Sequence, residues 1–262
     1  VVPEISTELV AVRWEGRRAG AVDVRVQQDG KWLPWTRLHG NPDEGPDPSS
    51  PERRNFTTAG PAWTGQNVDS VQLRVAEGRL PGLSLHLIHS PPAPKTWSAP
   101  SASASPAFPG FISRGQWGAN EAIRNTPNGC TTNPEDAPTV KNVIVHHTVN
   151  INTHGPNGAD DLIRGIYEFH VKSNGWCDIG YNFIVDRFGR LFEGRYGGVD
   201  RAVIGAHAGG FNTGSTGVAL LGDFRSTAPS PDAMRGLRTL LAWKFELHAV
   251  DPVGSMSMTS SG

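Results

Sequence analysis

Hydrophobic and polar positions alternate in short runs through the first ninety residues of the chain. Val22, Val24 and Val26 are separated by polar neighbours and followed by Asp29-Gly30, a tight hairpin signal. Val71, Leu73 and Val75 repeat the pattern, as do Leu83, Leu85 and Leu87. A period of two is the signature of a half-buried strand. Between the runs lies a polar, proline-rich loop, Gly40 to Pro51. The pattern predicts an all-β, sandwich-like domain over residues 1–90, of unassigned role. Trp14, Trp32, Trp35 and Trp63 fall within it. Such rings either make a sugar-binding platform or supply much of a small domain's burial, and we assign them to core and edge.

Residues 91–110 (PPAPKTWSAPSASASPAFPG) break this pattern. A Pro/Ala/Ser composition buries too little apolar surface to fold, so this segment reads as a linker. The second domain, residues 111–262, mixes two periods. Val143 to Thr148 (VIVHHT) is a strand run, and Asp160 to Ser173 is a helix, with Asp160 or Asp161 as its cap and Asn174-Gly175 as its end. Tyr181 to Asp186 and Arg190 to Glu193 predict a hairpin around Phe188-Gly189, and Gly217 to Leu221 a short buried strand. A second helix begins with Ser230 as cap and Pro231 in the first turn, with Met234, Leu237, Leu241 and Phe245 on its apolar face. Strands alternating with helices predict an α/β domain with a mixed central sheet.

Composition narrows the function classes. Net charge is −1 with no basic block, which argues against nucleic acid as a partner. No apolar run approaches the ~20 residues of a membrane span, and Val1 to Val12 carry no signal-peptide pattern, so any signal would have been removed already. The two cysteines, Cys130 and Cys177, form no CxxC pair and so exclude a cysteine-rich zinc site. They are either a disulfide of an oxidising compartment or two buried thiols.

Candidate chemistry begins at the His146-His147 doublet. Adjacent strand residues point to opposite faces, so one imidazole faces a cleft, where it could act as a ligand or base, while a buried structural histidine is the alternative. Three further segments follow: Gly175 to Phe183 (GWCDIGYNF), Glu193-Gly194-Arg195, and Gly205 to Asn212 (GAHAGGFN). Glycine-rich polar stretches beside strands are where a backbone can approach a ligand. Tyr181 could present its phenol to the same cleft, and His207 sits among small residues that leave room around its ring. The alternatives are a half-buried strand tyrosine and a histidine bonded to a loop carbonyl. A thiol hydrolase built on Cys177 is disfavoured, because the Asp178 anion beside it weakens a thiolate.

Taken in order, SRGQWGA from Ser113, VIVHHT, GWCDIGYNF, FEGR, GAHAGGFN and GVALLGDF resemble the peptidoglycan recognition protein and type-2 N-acetylmuramoyl-L-alanine amidase family, over Ser113 to about Pro252. A β-domain, a Pro/Ala/Ser linker and then this domain resembles secreted actinobacterial members, which implies a secreted or cell-wall location. The resemblance implies a Zn2+ amidase that cuts the bond between the lactyl group of muramic acid and L-alanine of the stem peptide. It maps one zinc ligand to His146 and the catalytic phenol beside the metal to Tyr181. A zinc-bound water has its pKa lowered towards ~7, and a nearby phenol can donate to the developing oxyanion. It further implies that Gly175 and Trp176 select stems carrying meso-diaminopimelate, that His207 and Asn212 line the glycopeptide groove, and that Cys177 pairs with Cys130.

The pattern breaks towards the end. The family's other two zinc ligands lie in a GHR-type motif and a following CPG- or DPG-type motif, and neither occurs here. His248 and Asp251-Pro252-Val253 do not match them. The chain therefore reads as lacking its C-terminal part, and without that part it is expected to hold zinc weakly and hydrolyse little. The other function the resemblance allows is a non-catalytic peptidoglycan-binding module.

Overall fold

The computed structural model describes residues 7–65, 67–89, 108–125, 127, 129–131 and 133–261. Seven strands come first: β1 Leu9–Glu15, β2 Gly20–Gln28, β3 Lys31–Trp32, β4 Thr36–Gly40, β5 Phe56–Trp63, β6 Ser70–Glu77 and β7 Ser84–Ile88. They pair antiparallel in the order β3-β2-β4-β5-β1-β7, with β6 on β2. The alternating valines of β2 all point inward, sharing one core with Val10, Val12 and Trp14 of β1, Leu38 of β4 and Val71 of β6. The two halves of the sheet join through a single pair, Gly40 with Ala59, and so fold together around that core. Asp29 and Gly30 take the left-handed conformations that a two-residue hairpin needs, with φ of 48° and 72°.

The four tryptophans do not form one platform. Trp14 is buried and donates its indole N–H to the Arg18 carbonyl. Trp32 is exposed and Trp35 half-buried, and the Arg25 guanidinium lies over both rings. Trp63 packs between this domain and the next. Of the linker, residues 91–107 lie outside the described residues. Phe108, assigned to the linker by composition, packs edge-on against Phe111 and Trp243 of the second domain.

That domain contains α1 Arg114–Trp117, β8 Asn142–His147, α2 Ala159–Glu168, β9 Phe183–Val185, β10 Leu191–Glu193, β11 Ser215–Leu220 and α3 Pro231–Leu247. Its sheet has the order β10-β9-β11-β8. β11 runs parallel to both neighbours, and β9 and β10 form the antiparallel hairpin, so the sheet is mixed. Strand alternation assigns the two faces. Ile184 and Phe192 pack under Leu162, Ile163 and Ile166 of α2. Phe183, Val185, Leu191, Val218 and Leu220 pack under Leu237 and Leu240 of α3.

Both helices depart from the sequence reading in detail. The cap of α2 is Gly158, with Asp160 and Asp161 inside the first turn, where their charge suits the helix dipole. Beyond Glu168 the chain continues as a π-helical turn, Phe169–Ser173, before Gly175 reverses it at φ 67°. In α3, Ser230 caps as expected by accepting from the Ala233 N–H at 3.0 Å. The buried face is instead Ala233, Gly236, Leu237, Leu240, Trp243 and Lys244, with Met234, Leu241 and Phe245 only half-buried. Gly236 sets this phase, because a Cβ there would lie 2.5 Å from the Gly189 carbonyl. Lys244 completes it by donating to the Val199 and Arg201 carbonyls, each at 2.8 Å.

The two domains pack directly. Leu9 and Ala11 of β1 and Ile88 of β7 form a small core with Phe169. The loop that follows β4 also docks on the second domain, through contacts that bear on the site. No helix among the described residues is long and apolar enough to cross a membrane.

Candidate functional site

A cavity of about 710 Å³ opens between the domains. His146, His147, Tyr181, His170, Trp176 and His207 line it from the C-terminal side, and Arg37, His39, Asn41, Glu44 and Thr58 from the N-terminal side.

β8 fixes the doublet. His146 points to the centre of the cluster, its Nε2 3.1 Å from His207 Nδ1 and its ring 5.4 Å from that of Tyr181. His147 points away, and its Nδ1 accepts from the Phe224 N–H at 3.0 Å. β8 is the edge strand of the sheet, so both histidines stay half-buried rather than one being sealed in the core. Burial pushes the His146 imidazole down to about 4, and the neighbouring His147 charge acts in the same direction.

His207 is buried against Gly217 of β11, where a Cβ would lie 2.4 Å from the ring, so only glycine leaves space for it. Burial, then His146, then Arg195 hold its pKa well below the usual histidine value. His170, which the sequence reading did not single out, is enclosed within the π-helical turn. Its Nδ1 accepts from the Gly180 N–H at 3.0 Å, and burial pushes its pKa down to about 3. Near neutral pH the three imidazoles are therefore uncharged. Tyr181 has its ring between those of His146 and His170, and burial together with the Glu44 charge pushes its phenol up.

The other expected residues have different surroundings. Trp176 lines the cavity, but its faces are occupied: His170 stacks at 4.5 Å, and Gly45 approaches so closely that a Cβ would lie 2.6 Å from the indole. Gly175 supplies the reversal that places it and carries the Arg54 side chain over its backbone. Asn212 does not line the groove. It is fully buried, accepting from the His207 and Ala208 N–H groups and donating to Gly45 O and Asp47 Oδ1. Its side chain shapes the His207 loop and ties that loop to the first domain, so a groove contact is corrected to a structural one. Cys130 and Cys177 are joined in a disulfide, with Cα atoms 5.5 Å apart.

The docking loop, residues 41–55, was not legible as part of the site. Asp47 is buried and accepts from the Gly210 and Asn212 N–H groups and the Asn212 amide, at 2.9, 3.1 and 2.6 Å. Glu52 forms an ion pair with Arg195 of the FEGR segment and accepts from the Cys177 N–H at 2.9 Å. The Gly209 N–H donates to the Asp43 carbonyl at 3.0 Å. Other family-like motifs also serve the framework. Arg114 of SRGQW pairs with Asp178 of CDIGYN at 3.1 Å, and Asn182 bridges Val203 O and the Gly217 N–H.

This donor set bears on whether the cleft can hold zinc. Among the described residues no three His, Cys, Asp or Glu side chains gather to hold a metal ion. His146 Nε2 is engaged by His207. A catalytic zinc needs about three protein ligands, so the described residues do not fit a complete site.

Comparison with known proteins agrees with this layout. A family profile described as N-acetylmuramoyl-L-alanine amidase matches residues 136–258, and one described as Rv3811 N-terminal galactose-binding domain-like matches residues 4–107. Peptidoglycan recognition protein 1 of Bos taurus is 30% identical over 133 residues, which is 50% of this chain and 64% of that protein. Peptidoglycan-recognition protein LE of Drosophila melanogaster is 38% identical over 103 residues, 39% of this chain and 29% of that protein. Among solved structures, human PGRP-IBETAC in complex with glycosamyl muramyl pentapeptide aligns at TM-score 0.47 and 26% identity, over 55% of this chain and 80% of that one. The fold is thus a galactose-binding-like β-domain followed by a mixed-sheet α/β domain. Residues 136–258 thus match the N-acetylmuramoyl-L-alanine amidase profile, and the second domain is similar in sequence to peptidoglycan recognition proteins, of whose length the chain spans less than two thirds.

Proposed function

We propose that this protein binds the peptide stem of peptidoglycan in the cleft floored by His146, Tyr181 and His207. The observation that carries this reading is the convergence of these three residues, from three separate motifs, at one cavity within the amidase-profile region. Two uncharged imidazoles and a protonated phenol offer hydrogen-bond donors and acceptors without a fixed charge, which suits amide and carboxyl groups of a peptide. The similarity to peptidoglycan recognition proteins supports the same ligand class. The resemblance of the Gly175-Trp176 pair to that of diaminopimelate-selecting family members supports a preference for diaminopimelate-type stems. The disulfide supports a location outside the cytoplasm, at the cell wall or secreted.

The test is calorimetric titration of the full chain with muramyl peptides. Saturable binding is expected, reduced at least ~10-fold by His146→Ala, since a lost buried hydrogen bond is worth about 1.4 kcal/mol or more. No heat from diaminopimelate-type muramyl peptides would sink the assignment.

A second reading, hydrolysis of the lactyl–L-alanine amide, is favoured by one observation: His146 and Tyr181 stand side by side within the region matched by the amidase profile. Zinc would be its cofactor and would need ligands beyond the described residues. Incubation with muramyl peptide, with added zinc or with chelator, separates the readings. Free L-alanyl peptide formed only in the zinc arm establishes hydrolysis, and intact ligand in both arms leaves binding alone.

A further inference from the structure

The cavity is composite, and its N-terminal wall has chemistry of its own. The loop carrying that wall is seated by buried groups: Asp47 on the Gly210–Asn212 backbone, and Glu52 on Arg195 and Cys177. Those contacts consume two of the four acidic side chains between Asn41 and Asn55. A third, Asp43, faces the charges of Arg17 and Arg53. Glu44 differs. It lines the cavity opposite the histidine cluster, is bonded by the Asn41 side chain, and forms no ion pair with any Lys, Arg or His among the described residues. The cations that share the cavity are already paired, Arg37 with Asp23 and Arg225 with Asp223.

A carboxylate held beside a polar cavity without a cation favours a ligand that brings one. Desolvation by the surrounding protein raises the Glu44 carboxyl pKa, and the Asn41 side chain acts against it. The floor of the cleft offers uncharged groups to the peptide backbone, so the ligand's positive charge must be met elsewhere.

We infer that the β-domain is one wall of the stem-peptide site, and that Glu44 on that wall binds the side-chain ammonium of a diamino acid in the stem. The inference rests on the stem-binding reading above. It gives the first domain a part in ligand selection, through a loop lying well over a hundred residues before most of the family-like motifs that Glu44 faces.

The experiment titrates wild type and Glu44→Gln, as full chains, with three ligands: muramyl dipeptide, which lacks the diamino acid; the muramyl tripeptide ending in diaminopimelate; and that tripeptide with its side-chain amine acetylated. Glu44→Gln is expected to weaken tripeptide binding ~10-fold, the scale of one charge-assisted hydrogen bond. Dipeptide affinity is expected to stay within about twofold. Acetylation should weaken binding to wild type by a similar factor and add nothing in Glu44→Gln. Equal tripeptide affinity in the two proteins, with the dipeptide still bound, overturns the role of Glu44 and leaves the stem-binding reading standing. Failure of wild type to bind any of the three ligands overturns both.

Discussion

The two walls of the cleft are held in place by different physics. On the C-terminal wall, His146 stands on β8 and His207 packs under β11, two strands in parallel register over six residue pairs. Helices α2 and α3 cover the sheet on both faces, so the groups are positioned by a backbone ladder and two apolar layers. The N-terminal wall hangs on a loop. Its position depends on two buried carboxylates, one close glycine contact and a small shared core around Phe169. Apolar layers fail gradually when cut, whereas a buried ion pair fails abruptly, because the partner left behind has lost its solvent. The first wall should therefore persist through most single substitutions, and the second should be separable from it.

The largest effect is expected for Glu52→Ala. Both members of the Glu52–Arg195 pair are about nine-tenths buried, with side-chain exposures of 10% and 9%. Removing one leaves the Arg195 charge uncompensated and the Cys177 N–H without its acceptor. The cost should be about 3–5 kcal/mol. Urea unfolding followed by tryptophan fluorescence should change from one concerted transition to two. A single unshifted transition would show that the loop is not what couples the domains.

Next comes the disulfide, which anchors the receiving surface. Cys177 both donates to Glu52 and closes a loop to Cys130 across 47 positions. Replacing both cysteines by serine should cost about 2–4 kcal/mol, mainly by freeing the unfolded chain. Combined with Glu52→Ala, the loss should be less than the sum, because the two changes act on one contact. Strict additivity in a double-mutant cycle would separate the disulfide from the docking surface.

Legibility in the sequence follows the same division. The β2 valines, the Asp29-Gly30 turn and the Ser230-Pro231 helix start were readable because each is a local rule with a short period. The burial phase of α3 was not, since it is fixed by Gly189 approaching Gly236 from another element. The doublet could be read as divided between two faces, but not as lying on an edge strand. Asn212 was recognisable as part of a motif, yet a motif gives position without direction, and the side chain turns inward to Asp47. The loop after β4 was legible as a polar, proline-rich loop but its docking was not, because its contacts join residues 125 to 167 positions apart and carry no periodicity.

The third prediction turns to the strand-borne side and its uncharged imidazoles. His170 has its folded pKa pushed down to about 3, below the ordinary histidine value of 6.5. Between those values the unfolded chain binds more protons than the folded one. Stability is therefore fully present above about pH 6.5 and is lost as pH falls towards 3, by about 2 kcal/mol at pH 5 for this one group. Denaturant titrations of the metal-free protein at pH 7 and pH 5 measure the loss. His170→Asn, whose amide oxygen can accept from Gly180 in place of Nδ1, should flatten it. An unchanged slope in the variant would assign the acid sensitivity to other groups.

The smallest effect should come from Gly45→Ala, and it discriminates most finely between the walls. Gly45 sits at φ 109° with its α-carbon against the Trp176 indole. A methyl group there meets both a strained backbone and a ring atom 2.6 Å away, so the loop must lift. Because the loop can move as a whole, the cost should be on the order of 1 kcal/mol, less than the strain of holding alanine in place. Lifting exposes one face of Trp176 while leaving its contact with His170 intact. The indole emission should therefore shift to longer wavelength, with the denaturant midpoint of the C-terminal domain almost unmoved. The same variant should lose the tripeptide-over-dipeptide preference assigned to Glu44, one residue away, and keep dipeptide binding. If instead dipeptide affinity falls with it, the loop is supporting the histidine floor, and the two walls are one structure.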